Sequence, residues 1–167
     1  AVKEGYGVEG SAYTYAVGKL VFWSSNPQLI PQTPTVLEKG VFEKCAVANP
    51  KLAPYGQAAY ETLDAMGLMN AVKPKFVEGK NIGATFNMVK TGNAEVGFVA
   101  LSQVYKDGKF TGGSGWIVNP KYYNPIRQDA VLLKASKDPK TAKAFLDYLK
   151  KSPEAQAVKT AYGYAAP

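Results

Sequence analysis

Short apolar runs alternate along the chain with segments of helical periodicity, a pattern that predicts strands separated by helices. The strand-like runs are rich in β-branched and aromatic residues and stop at turn residues such as Asn-Pro. They predict strands at residues 16–24, 45–48, 74–78, 96–101 and 129–135, after an irregular lead-in over residues 1–12.

Apolar residues spaced three or four apart predict four helices. The first covers residues 55–66 and stops at Gly67, and the second begins at an Asn81 N-cap and ends at Gly92. Pro139 and Pro153 open the last two helices. In the Pro139 helix, we expect the inward residues to be Ala142, Phe145, Leu146 and Leu149.

The strand-helix-strand-helix-strand order between residues 45 and 101 predicts parallel strands joined by crossover helices. Two helix N-termini, near Tyr55 and Ile82, then face one edge of the sheet and present unpaired N–H donors to an anion. Tyr55 could equally be a packing residue at a loop corner. Ile82 could contribute only its backbone amide, because its side chain suits the core.

The amino-acid composition excludes several common kinds of catalytic and metal site. Histidine is absent and Cys45 is the only cysteine, which excludes imidazole bases, Ser-His or Cys-His pairs, His-ligated zinc and intrachain disulfides. Glu61 and Asp64, one helical turn apart, are better explained as a solvated helix surface. The glycine-rich stretch at residues 106–114 lacks the Gly-Lys-Ser/Thr of a phosphate loop. We therefore expect no catalytic residues, no cofactor and no enzyme activity.

The net charge of +7 raises nucleic acid as a partner, but the distribution of basic residues argues against it. Only Arg127 is an arginine, and the lysines are dispersed along the chain without a run of three. Base-edge readout and bidentate phosphate binding favour the arginine fork. We expect solvated lysine faces and no nucleic-acid partner.

Several longer motifs together carry a family resemblance. They are residues 13–24 (YTYAVGKLVFWS), 48–56 (ANPKLAPYG), 78–82 (EGKNI), 92–103 (GNAEVGFVALSQ), 125–131 (PIRQDAV), 152–156 (SPEAQ) and 162–164 (YGY). With these motifs the chain resembles the molybdate-binding proteins of ATP-driven (ABC) uptake systems, which are type II periplasmic binding proteins. The resemblance runs over nearly the whole chain.

The resemblance implies an α/β fold of the periplasmic-binding-protein-like II class, with a three-layer αβα lobe around a mixed, mostly parallel sheet. It implies that two lobes close around molybdate or tungstate in the periplasm and deliver it to an ABC permease in the inner membrane. Tyr55 would donate its hydroxyl to the oxyanion and Ile82 its backbone amide, so that molybdenum is held as an oxyanion without direct metal ligands. Some relatives use a further tyrosine where this chain has Ala100.

The chain departs from the family pattern at its start, where relatives have strand-helix units whose serines or threonines complete the oxyanion shell. We therefore expect residues 1–23 to form a lead-in and hinge strand of lobe 1, residues 24–123 to form all of lobe 2, and residues 124–167 to form the returning part of lobe 1. The predicted strand at 129–135 and the last two helices would then expose an apolar face. A missing amino-terminal segment or a second copy of the chain would cover that face.

Two other functions remain open at this point. A ligand-sensing domain of a transcription regulator has the same fold, and a binding protein for sulfate or phosphate would use similar donors. The match continuing to the last residues favours transport over regulation. Cavity size would separate molybdate and tungstate from the smaller oxyanions.

Overall fold

A computed structural model describes all 167 residues of the chain. Nine strands and six helices are joined by turns, three of which are short 3₁₀ turns. The helices are α1 (Thr35–Lys39), α2 (Pro54–Ala65), α3 (Met69–Val72), α4 (Ile82–Lys90), α5 (Pro139–Lys151) and α6 (Pro153–Ala161). The strands are β1 (Tyr13–Gly18), β2 (Leu20–Ser24), β3 (Cys45–Ala48), β4 (Phe76–Gly79), β5 (Val96–Ala100), β6 (Tyr105–Lys106), β7 (Lys109–Phe110), β8 (Ser114–Ile117) and β9 (Ile126–Ala130).

A five-stranded sheet in the order β4-β3-β5-β2-β8 forms the centre of the molecule. Strand β3 runs parallel to both β4 and β5, as the strand-helix alternation predicts. Strand β2 runs antiparallel to β5 and to β8. The sheet is therefore mixed, with parallel pairing on the β4 side and antiparallel pairing on the β8 side.

Helices cover both faces of this sheet, because successive side chains of a strand point to opposite faces. Leu20 and Phe22 enter a core of 19 buried residues that also contains side chains of α1, α2 and α3. Val21 and Trp23 enter a second core of 8 buried residues, which includes Val89 of α4. The central body is thus an αβα sandwich, and the predicted α/β fold class is confirmed.

A second, smaller body is built on an antiparallel ribbon of β1 and β9, whose register shifts between Thr14 and Ala16. Helices α5 and α6 pack against each other beside it. The last residues connect the two bodies. Ala165 forms a β-bridge with Val17 of β1, and the Tyr164 hydroxyl donates to Ser102 Oγ, just after β5, at 3.0 Å.

Two strand predictions are wrong in their extent. The run 16–24 is not one strand, because the chain changes sheets at Lys19: β1 pairs with β9, whereas β2 lies between β5 and β8. The predicted strand 129–135 lies earlier, at β9, because β1 supplies partners only as far as Ala130. Beyond it, Leu133 makes an isolated bridge to Gly7.

Two smaller predictions also need correction. The strand predicted at 74–78 begins at Phe76, because residues Lys73–Lys75 form a 3₁₀ turn. The glycine-rich loop at 106–114 contains part of a small hairpin, β6-β7. Asp107 and Gly108 both have positive φ, 51° and 83°, which suits the two-residue turn of a hairpin.

The apolar face of α5 is largely exposed, although we expected its residues to point inward. No residue of α5 is buried, and Phe145 is 60% exposed. Leu133, which follows β9, is 49% exposed. This agrees with the expected apolar face on the smaller body. The division into residues 1–23, 24–123 and 124–167 stays a prediction, although β2 belongs to the central sheet.

Candidate functional site

The N-termini of α2 and α4 lie at one edge of the central sheet. Helix α2 follows β3 and α4 follows β4, and these parallel neighbours end in register, with Ala48 opposite Gly79. The Asn49 amide donates to the Gly79 carbonyl at 2.8 Å, which holds the two strand ends together. Both helices therefore begin from the same edge, where open α/β sheets bind ligands.

The start of α2 sits directly against the end of β3. Ala53 is the N-cap in an extended conformation, and Pro54 occupies the first helical position. A Cβ at Gly56 would overlap the Ala48 carbonyl oxygen, so only glycine permits this close approach. Tyr55 is consequently drawn into the core and is only 7% exposed.

The start of α4 is capped by Asn81, as the sequence predicts. Its side-chain oxygen accepts a hydrogen bond from the Ala84 amide at 2.8 Å, and its carbonyl accepts from the Thr85 amide at 3.1 Å. The Ile82 amide belongs to the first turn and has no intrahelical acceptor. The half-buried Ile82 side chain packs against the core that contains Tyr55. Its amide is thus an available donor, and the positive end of the helix dipole lies beside it.

The Tyr55 hydroxyl lies against the β1-β9 ribbon of the smaller body. Gln128 Nε2 donates to this oxygen at 3.2 Å, and a Cβ at Gly18 would overlap it. Burial raises the pKa of Tyr55 well above its ordinary value, and the nearby Tyr164 hydroxyl adds to this effect. The phenol therefore stays protonated and keeps an O–H group that is able to donate.

Gln103 links the end of a third strand to the same edge. Its side-chain oxygen accepts from the Ala100 amide at 3.0 Å, and its Nε2 donates to the Ile82 carbonyl at 3.4 Å. Ala100, at the carboxyl end of β5, is buried. The position where the family resemblance implies a further tyrosine in some relatives thus carries a methyl group, and Gln103 links it to the start of α4.

The structure brings both predicted site residues, Tyr55 and Ile82, to one edge of the sheet. That they bind an oxyanion stays a prediction. Sequence reasoning missed Gly18, Gln103 and Gln128. Each contacts a site residue through a strand pairing or a loop distant in sequence, and each belongs to a motif that the resemblance included without assigning it a role.

Neither Tyr55 nor Ile82 lines the larger cavities of the chain, although Gln103 lines one of about 440 Å³. One of about 540 Å³ is lined by residues of β6, β7 and β8, including Trp116. Another, of about 420 Å³, lies on the apolar face between β9 and α5 and is lined by Phe145 and Leu133. The candidate site is therefore the pair of donors at the sheet edge, with the Tyr55 side chain itself buried.

Two further findings bear on the kind of site. No group of three or more histidine, cysteine, aspartate or glutamate side chains is placed to hold a metal ion. None of the helices has the length and apolar character needed to cross a bilayer. The donors at the sheet edge are a phenol and backbone amides, which suit an anion and not a cation.

Residues 1–165 match the family described as bacterial extracellular solute-binding protein, and the chain belongs to that family. Over 162 residues it is 56% identical to the molybdate-binding protein ModA of Azotobacter vinelandii, covering 97% of this chain and 64% of that protein. It is 50% identical over 164 residues to ModA of Rhodobacter capsulatus, covering 98% of this chain and 63% of that protein. The predicted resemblance to molybdate-binding proteins is confirmed.

A solved structure agrees with these sequence matches. The periplasmic molybdate-binding protein of Azotobacter vinelandii superposes with a TM-score of 0.90 at 36% identity, covering 99% of this chain and 72% of that one. The chain spans just under two thirds of the length of both ModA relatives.

Proposed function

We propose that this chain is the substrate-binding component of an ABC uptake system, binding molybdate or tungstate in the periplasm and delivering it to a permease in the inner membrane. The observation that carries the proposal is the 56% identity to a ModA protein across 97% of the chain. The geometry supports it, since a phenol and a helix-start amide lie at one sheet edge.

Neutral donors suit a doubly charged tetrahedral anion. The Tyr55 hydroxyl and the Ile82 amide replace part of its hydration shell without adding charge to the protein. An oxyanion that carries a proton would point it at a donor and leave both groups unpaired, at a cost of about 1 to 3 kcal/mol. The net charge of +7 draws anions toward the protein surface. The chain has no histidine to act as a base, and we infer that the ligand is bound and not transformed.

Closure of two lobes supplies the transport signal in this proposal. The chain passes between the bodies at Lys19 and again between Tyr123 and Ile126. A small cavity of about 110 Å³, lined by Gly18, Tyr123 and Ala165 among others, lies between these crossings. It provides room for the crossings to bend. We propose the division into residues 1–23 and 124–167 as lobe 1 and 24–123 as lobe 2 with one adjustment: the first crossing falls at Lys19, so β2 belongs to lobe 2.

Calorimetric titration with molybdate, tungstate, sulfate and phosphate tests the proposed ligand. We expect molybdate and tungstate to bind far more tightly than sulfate or phosphate. Tyr55→Phe should weaken molybdate binding by about 1 to 2 kcal/mol, because it removes a direct donor. Tyr60→Phe is the matched control. Tyr60 lies on the same helix, and its hydroxyl makes no hydrogen bond, unlike that of Tyr55. Equal affinity for sulfate and molybdate would contradict the proposed ligand, and an unchanged affinity of Tyr55→Phe would remove Tyr55 from the site.

The exposed apolar face carries a proposal about partners. Leu133 and Phe145 are 49% and 60% exposed and flank an apolar cavity, which favours a covering element. We propose that an amino-terminal strand-helix segment or a second copy of the chain covers it. Sedimentation of the chain alone should show self-association that Phe145→Glu reduces. A monodisperse monomer whose α5 and α6 amides are protected from hydrogen exchange would contradict this.

A further inference from the structure

A side chain from the smaller body forms a hydrogen bond with the Tyr55 hydroxyl. Gln128 lies on β9, opposite Ala16 of β1, and is half-buried. Its Nε2 donates to the Tyr55 hydroxyl oxygen at 3.2 Å. No other hydrogen bond of the chain involves this hydroxyl, so its proton has no acceptor within the protein.

No hydrogen bond joins the Tyr55 hydroxyl to either neighbouring tyrosine hydroxyl. Tyr123 accepts from the Leu20 amide at 3.1 Å, and Tyr164 donates to Ser102 at 3.0 Å. A phenol has one proton to give and lone pairs to accept with. Because Gln128 Nε2 donates to the Tyr55 oxygen, an O–H bond aimed at Gln128 would set two protons face to face, so the O–H bond points in another direction.

We infer that Gln128 is a positioning residue for the oxyanion site: its amide donates to the Tyr55 oxygen and thereby directs the Tyr55 proton toward the ligand. The inference rests on the proposed function, because the ligand that receives the proton is the proposed oxyanion. Gln128 does not touch the ligand in this arrangement and acts only through Tyr55. Since Gln128 belongs to the ribbon and Tyr55 to the central body, the donor is oriented only while the two bodies stay in contact.

A double-mutant cycle measured by molybdate titration tests this role. Gln128→Leu should weaken binding about fivefold in the wild-type background and leave binding unchanged in the Tyr55→Phe background. Gln128→Glu should weaken it more, at least about tenfold, because a carboxylate accepts the Tyr55 proton. In the Tyr55→Phe background, Gln128→Glu should show only the loss of affinity that its negative charge causes. Gln28→Leu, at an exposed loop position, is the control for losing a glutamine.

A ligand-free measurement separates this inference from the proposed function. In ¹⁵N-labelled chain, the side-chain amide protons of Gln128, assigned by their loss in Gln128→Leu, should move upfield in Tyr55→Phe. If wild-type chain fails to bind molybdate but this shift occurs, the proposed ligand is wrong and the orientation of the hydroxyl stands. An unchanged Gln128 resonance, or an equal loss of affinity for Gln128→Leu in both backgrounds, would overturn the positioning role.

Discussion

Replacing Asn81 by aspartate should separate the stability of α4 from its role in binding an anion. The Asn81 side chain caps the helix by accepting from the Ala84 amide at 2.8 Å. An aspartate oxygen can accept the same bond, and a negative charge at a helix N-terminus stabilises by about 0.3 to 1 kcal/mol. We therefore expect the free energy of unfolding of Asn81→Asp to equal or slightly exceed that of the wild type. Asn81→Ala, which removes the cap, should lose about 1 kcal/mol.

Binding should respond in the opposite direction. A dianion held by the Ile82 amide would lie roughly 6 Å from a carboxylate at position 81, where a single and a double negative charge repel by about 1.4 kcal/mol in water. This corresponds to about a tenfold loss of affinity for molybdate at low ionic strength. At about 0.15 M salt the screening length is roughly 8 Å, so the loss should shrink to a few-fold.

The assay is calorimetric titration with molybdate at low and at moderate ionic strength, paired with urea unfolding of the same preparations. Asn93→Asp is the matched control, because Asn93 is exposed just beyond the opposite end of α4 and the change in net charge is identical. If Asn81→Asp binds molybdate as tightly as Asn93→Asp at low salt while both fold normally, the anion does not sit at the start of α4.

Three other predictions follow from the buried residues. Gly18→Ala should lose about 1 to 3 kcal/mol of stability in urea unfolding, because its Cβ would overlap the Tyr55 hydroxyl. Adding Tyr55→Phe should recover much of that loss. A Gly18→Ala variant as stable as the wild type would disprove the close approach. Cys45 is fully buried, and burial raises the pKa of its thiol, so a thiol reagent should label it only after unfolding. The free energy of unfolding should fall at alkaline pH. In the folded chain the pKa values of Cys45 and Tyr55 lie above the ordinary 9.0 and 10.0. The stability that comes from keeping these two groups protonated is therefore fully present below the ordinary values. It is lost by about 1.4 kcal/mol per pH unit and group as pH rises further, and flat stability to pH 11 would contradict the raised values.

Helix boundaries were predictable because their signals are local. Asn81 caps α4 through a bond within its own first turn, and Pro139 opens α5 at a position where a missing N–H costs nothing. Gly67 and Gly92 end their helices with positive φ, a conformation that glycine adopts easily. Each of these features depends on residues within four positions along the chain.

Strand boundaries depended on distant partners and were less predictable. Residues 16–24 form one continuous apolar run, and nothing within it indicates that pairing changes sheets at Lys19. That change is set by β9, more than a hundred residues later, and by β5 and β8. Strand β9 itself has exposed polar positions such as Arg127 and Asp129, so the more apolar residues after it gave a misleading signal.

The residues of the candidate site likewise fall into those that local sequence signals predict and those that depend on distant partners. Tyr55 and Ile82 were predictable from helix starts that follow strands, together with the family resemblance. Gln128 reaches Tyr55 only because β9 pairs with β1, and Gln103 reaches Ile82 only because its loop folds back over the end of β5. A glutamine on a half-exposed strand has many roles, and no local pattern distinguishes a positioning residue from a surface one.

The carboxyl-terminal segment restricts how the two bodies can move. Besides the chain crossings at Lys19 and near Asn124, Tyr164 is bonded to Ser102 of the central body while its neighbour Ala165 pairs with Val17 of the ribbon. The Gln128–Tyr55 hydrogen bond is a further link between the same two bodies, so a motion that separates them must break these bonds or bend the chain near the crossings. Opening the edge between the bodies should therefore cost the Gln128–Tyr55 hydrogen bond before it costs the Tyr164–Ser102 bond, which lies beside the crossing at Lys19 and the bridge at Val17.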